Sequence, residues 1–133
     1  MSLRTFKSSF GLKKFNVKSI AVVMEEALIV SILGGEKPHV GAVAISIPRP
    51  SLKYPEKISS STSIFTLIGH KEDELVKPVA ELLVKELKRT TIVIAGIHVK
   101  NASEGDIKKL VDNSMKSIEK LIKKIKKFYK IKF

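Results

Sequence analysis

Three histidines, His39, His70 and His98, each stand at the end of a strand-like run or in the turn beside it. Three imidazoles can make a nitrogen-ligated zinc or iron site. The chain has neither HxH nor HxxxH spacing, however, and each ring can also be satisfied by local backbone bonds, so no metal site is expected. Arg49, Lys71 and the backbone amides around Gly34-Gly35 can join the imidazoles in a shared anion pocket, since such amides and cations are what phosphate seeks. Glycines, prolines, small hydroxyls and two of the three histidines gather in one polar span, Gly34 to His70, which holds the hydroxyl run Ser59 to Ser63. That run can bond phosphate or ribityl oxygens, or can simply be a solvated loop and strand start. Glu36, between glycines and near His39, is the carboxylate to test for function, against its plainer reading as a turn residue beside Lys37. Glu72-Asp73-Glu74 is most simply a helix start, where carboxylates meet the positive end of the macrodipole.

Several chemistries are excluded outright. With no cysteine there are no disulfides, thiolate metal sites or Cys nucleophiles. GxGxxG and GxxxxGK[ST] are both missing, so the glycine pair is neither a dinucleotide fingerprint nor a P-loop. There is no GxSxG elbow for a serine nucleophile. Catalytic residues are therefore not assigned.

The formal net charge of +12 invites a nucleic-acid reading, and its distribution argues against it. Residues 1–20 hold five basic and no acidic side chains, residues 21–99 nine of each, and residues 100–133 eleven basic against four acidic. The basicity belongs to an N-terminal arm, about 1–15, and a lysine-rich helix end, about 116–133, while the centre is neutral. No aromatic residues interleave with the strands as a stacking platform would require, and arginine is scarce, 3 against 22 lysines. Abundant lysine, isoleucine and valine with few amides match a heat-adapted composition. Met1 to Phe15 lacks the apolar core of a signal peptide and the longest apolar runs fall short of a membrane span. A cytoplasmic protein forming one domain, residues 1–133, is expected.

The elements that must position these residues follow from periodicity. Val17 to Met24 and Ala27 to Leu33 read as a hairpin about Glu25-Glu26, with Leu3 to Gly11 as a weaker extended segment before them. His39 to Ile47 is a further strand, which Pro48 should end because proline cannot donate to a ladder. A loop from Pro48 to Ser61 leads to a strand at Thr62 to Ile68. Leu75, Val76, Val79, Leu82, Leu83 and Leu87 form one helical stripe over 72–89, although Pro78 suggests that the regular helix begins only near Lys77. Thr90 to Val99 is a strand apolar on both faces, to be covered by a second layer or by another subunit. A second helix runs from Glu104 to Lys127, capped by Asn101 or Ser103. The order β-β-β-β-α-β-α implies an α+β fold, a mixed, mostly antiparallel sheet with two helices on one face.

Three segments, GGEKPHVGAVAIS (34–46), SSSTSIFTLIGHKEDEL (59–75) and TTIVIAGIHVKNAS (90–103), together resemble the prenylated-flavin-chaperone-like family that includes the small D subunit of gallate decarboxylase. The resemblance covers residues 25 to 115. It implies a fold similar to proteasome assembly chaperones, small subunits that dimerise, and hence an expected homodimer, and it implies a non-catalytic accessory protein handling prenylated FMN or FMN for a UbiD-type decarboxylase. The positions carried over as a ligand surface are Gly34, Gly35, Glu36, His39, Gly41, Ser61, Thr62, Gly69, His70, Lys71 and His98; Arg49 is added on charge grounds. The alternatives are an assembly-chaperone-like module that binds only protein, and nucleic-acid binding by the basic termini.

Overall fold

A computed structural model describes residues 3–67 and 72–130. Alternation of apolar and small polar residues sets six strands: β1 (Arg4–Phe10), β2 (Val17–Val23), β3 (Ala27–Gly35), β4 (Ala42–Pro50), β5 (Ile58–Thr66) and β6 (Thr90–His98). Helix α1 (Asp73–Leu87) precedes β6, and α2 (Glu104–Tyr129) follows it. The strands form one mixed sheet in the order β1-β2-β3-β6-β4-β5. Every neighbouring pair is antiparallel except β3–β6, which runs parallel from Ala27↔Thr90 to Gly35↔His98.

One residue in two along the inner strands is buried: Val17, Ser19, Ala21 and Val23 of β2, Leu28, Val30 and Ile32 of β3, Ala42 and Ala44 of β4, and Val93 and Ala95 of β6. This face receives Val76, Val79 and Leu83 of α1 and Ile118, Leu121 and Ile125 of α2. α1 lies over β4, β5 and β6, and α2 over β1 and β2, so both helices share one face. Ser19 and Ser117 satisfy each other where α2 crosses β2, Oγ to Oγ at 2.8 Å. Ser103 starts α2 with a capping box: its Oγ accepts from the Asp106 amide at 3.0 Å, and its own amide donates to the Asp106 carboxylate at 3.1 Å.

Among the described residues nothing covers the other face. Ile20, Val22, Ile29, Leu33, Val43, Ile45, Ile92 and Ile94 lie on it half-buried, and Ile47 and Phe65 are exposed. The doubly apolar character of β6 thus has its first cover in the helices and no second layer among the described residues.

Three expectations change. The N-terminal stretch is not an arm: β1 pairs along its whole length with β2, so five strands precede α1 and the order is β-β-β-β-β-α-β-α. The ladder does not stop at Pro48. It continues through Pro48↔Ser60, Arg49↔Ser59 and Pro50↔Ile58, leaving only residues 51–57 as the connection. Leu67 N donates to Gly41 O at 2.9 Å, so odd-numbered β4 residues bond toward β5 and Pro48 and Pro50 lack donors only on the opposite edge. Among the described residues no strand pairs with that edge there, because β6 pairing ends at Ser46↔Thr91. Finally, α1 is regular from Asp73. Pro78 and Glu74, whose carbonyl it frees, are both exposed, so water replaces the lost bond. No helix among the described residues is long and apolar enough to cross a membrane.

Candidate functional site

The parallel pair brings the ends of β3 and β6 together, and the turn after β3 is tied to β6 by two bonds. The Glu36 amide donates to the His98 carbonyl at 2.7 Å, and the Lys100 amide donates to Glu36 Oε1 at 2.9 Å. Gly35 makes this turn at φ +77°, and a Cβ on it would stand 2.2 Å from the His98 carbonyl oxygen. Only glycine meets both demands at low cost.

The chain then doubles back so that His39 crosses β6 at Gly96, where the backbones touch. His39 and His98 meet at this point, ring centroids 6.1 Å apart and edge to face. Both His39 nitrogens face acceptors: Nδ1 the Lys37 carbonyl at 3.2 Å, Nε2 the Glu72 carboxylate at 3.3 Å. Glu72 stands at the N-cap of α1, yet its side chain does not cap the helix. Its carboxylate instead lies against Gly41 and accepts from the Ile97 amide at 3.4 Å, which a Cβ at Gly41 would obstruct.

Beside this crossing opens a cavity of about 380 Å³ between the start of α1, the end of β6 and the first turns of α2. Its walls are Leu75, Ile97, Val99, Ala102, Leu110 and Val111, with His98, Glu72 and Glu74 as polar members. It is a mostly apolar hollow of the size that takes small organic ligands.

Of the residues singled out from sequence, Gly34, Gly35, Glu36, His39, Gly41 and His98 come together here. Gly69, His70 and Lys71 lie outside the described residues, so two of the three histidines are seen to converge. Arg49, Ser61 and Thr62 are not brought to this place. At about 3.3 Å per residue, Arg49 is roughly 26 Å along β4 from Gly41. There Arg49 Nε donates to Ser61 Oγ at 2.9 Å, and Thr62 shares a hydroxyl bond with Ser46 at 2.9 Å. Glu72 was missed, because an acidic residue before a helix has an adequate local explanation. Its proximity in sequence to His70 was the only hint.

The lysines of α2 are partly engaged. Lys120 Nζ donates to the Ser9 carbonyl at 2.8 Å and Lys124 Nζ to the Lys7 carbonyl at 2.6 Å, while Lys116 lies 4.8 Å from the centre of the Phe10 ring.

A search of curated proteins gives no match. Among solved structures, the chain is similar to one from the crystal structure of a chaperone complex for yeast 20S proteasome assembly, with a TM-score of 0.61 at 12% identity over 96% of this chain and 98% of that one. At that identity the likeness establishes the fold, which is that of the assembly chaperone. The family model for the prenylated flavin chaperone LpdD-like domain matches residues 11–126. From the N-terminal turn nearly to the end of α2, this chain belongs to the LpdD-like prenylated flavin chaperone family.

Proposed function

We propose that the chain is a non-catalytic, cytoplasmic accessory protein that holds prenylated FMN, FMN or a related flavin phosphate for a UbiD-type decarboxylase. The observation that carries this reading is the meeting of His39 and His98 beside an apolar cavity of about 380 Å³. The exposed His98 imidazole offers a hydrogen bond to a flavin's polar edge, and apolar walls suit the added prenyl carbons. Glu72 and Glu74 both line the cavity and repel a phosphate, so the cavity takes the apolar part of the ligand and its anionic end stays outside. Isothermal titration with FMN and prenylated FMN tests it. Binding about tenfold weaker in His98→Ala is expected; absence of heat and of any thermal shift with both flavins would sink it.

A second reading, binding of protein alone, is favoured by the bare apolar face of the sheet. Six strands about 4.8 Å apart and 7–9 residues long span roughly 700–800 Å², the area one partner contributes to an ordinary stable interface. A homodimer stacked through Ile29, Ile92, Ile94 and Ile45 would cover it. Sedimentation should give a dimer for the wild type and a monomer for Ile94→Glu. A wild-type monomer at tens of micromolar would reject the homodimer.

A further inference from the structure

The two edges of the sheet are treated differently. On β1 the outward carbonyls of Lys7 and Ser9 are already taken by the amines of Lys124 and Lys120, so an incoming strand would have to displace both. β5, the opposite edge, reads ISSSTSIFT, with no charged residue and no proline. Its register fixes which backbone groups are free. Because Leu67 N bonds to Gly41 O, odd-numbered residues of β5 turn toward β4, and Ser60, Thr62 and Ile64 turn their N–H and C=O groups outward. The side chains of Ser59 to Ser63 are small, leaving room for larger ones on a neighbouring strand.

At the Ile58 end a groove of about 200 Å³ runs between this edge and α1, lined by Ile58, Ser59, Ser60, Glu81, Val84 and Lys85. The adjoining turn carries Lys53 and Lys57, whose amines lie 5.5 and 5.1 Å from the centre of the Tyr54 ring. Lys53, Lys57 and Lys85 outnumber Glu56 and Glu81 at this end, on a chain of net charge +12.

We propose that the outer edge of β5 receives an extended segment of a partner protein by strand addition, uncharged where it pairs with Ser60 to Ile64 and acidic where it passes Ile58. Main-chain bonds supply the affinity in this mode, and the groove and lysines supply the selectivity. The proposal does not depend on the flavin reading, since the β5 edge and the histidine crossing share no residue.

The test is fluorescence anisotropy of a labelled synthetic nonapeptide, alternating valine and threonine and ending in two aspartates, against the full chain. Saturable binding is expected, about tenfold weaker with Ser60→Pro, which removes an outward donor and leaves the β4 ladder intact. N-methylation of alternate peptide residues should abolish binding in one phase and spare it in the other. The peptide ending in two lysines should bind more weakly. Absence of binding, indifference to Ser60→Pro, or equal loss in both methylation phases overturns the strand-addition proposal. Equal affinity for the lysine-ended peptide overturns its acidic part. A wild-type dimer that Ser60→Pro turns into monomers assigns the edge to a second copy and overturns the choice of occupant.

Discussion

The carbonyl of His39 rests against the α-carbon of Gly96 so closely that a Cβ at Gly96 would stand 1.3 Å from its oxygen. This contact lets the chain cross the end of β6 and hold one imidazole over another. Replacing Gly96 by alanine must therefore push the 36–41 segment off the sheet. A loss of about 3 kcal/mol or more is expected in urea unfolding, well beyond an ordinary overpacking cost. A loss under about 1 kcal/mol would show that the crossing is soft.

Glu72→Gln keeps the shape of the side chain and removes its charge. Its charged bond to His39 and its acceptance of the Ile97 amide weaken together, for about 1–2 kcal/mol. Thermal unfolding reads the stability, and the ring proton resonances of His39 and His98 should both move. A shift confined to His39 would mean that the two rings do not sense each other.

Lys126 is almost wholly buried and bonds Glu86 across the two helices, Nζ to Oε2 at 2.5 Å. That hydrogen bond holds the Glu86 carboxyl below its ordinary range, with the charge of Lys126 adding to it and partial burial opposing it. A depressed folded-state pKa means that the unfolded chain takes the proton first. This stabilisation is therefore full above the ordinary glutamate range and is lost as pH falls through the lower folded value. Thermal scans between pH 2 and pH 7 should show a steeper acid decline in the wild type than in Glu86→Gln. Parallel curves would exclude the linkage.

Removing both edge lysines, Lys120→Ala with Lys124→Ala, leaves the core untouched and frees the carbonyls of Ser9 and Lys7. Global stability should change by less than about 1 kcal/mol, because both lysines are exposed. Light scattering on prolonged warming should rise well above the wild type. Unchanged scattering would mean that β1 is protected by something else.

Much of the fold was legible in the residues. Thr90 to His98 is β-branched enough to be read almost to the residue, Glu25-Glu26 marked its hairpin, and Asn101 or Ser103 marked a helix start, which the structure gives to Ser103. What composition could not carry was adjacency between distant segments. Nothing local says that β6 lies beside both β3 and β4, or that Glu72 turns from its own helix toward Gly41. The candidate residues are brought together only in part for the same reason. His39 and His98 meet because β3 and β6 are parallel, whereas Arg49 and Ser61 were displaced to the far end by a hairpin longer than Pro48 suggested.

The insertion of β6 between β3 and β4 also sets a constraint on synthesis. When Leu87 leaves the ribosome, five strands and one helix have been made, yet β3 and β4 have no partner on their facing sides. The slot is one strand wide, lined by unmated amides and carbonyls, and it closes only when residues 90–98 arrive. Folding must therefore wait on a late central piece. A nascent chain stalled before Thr90 would present two sticky half-sheets to its surroundings, one from each side of the gap.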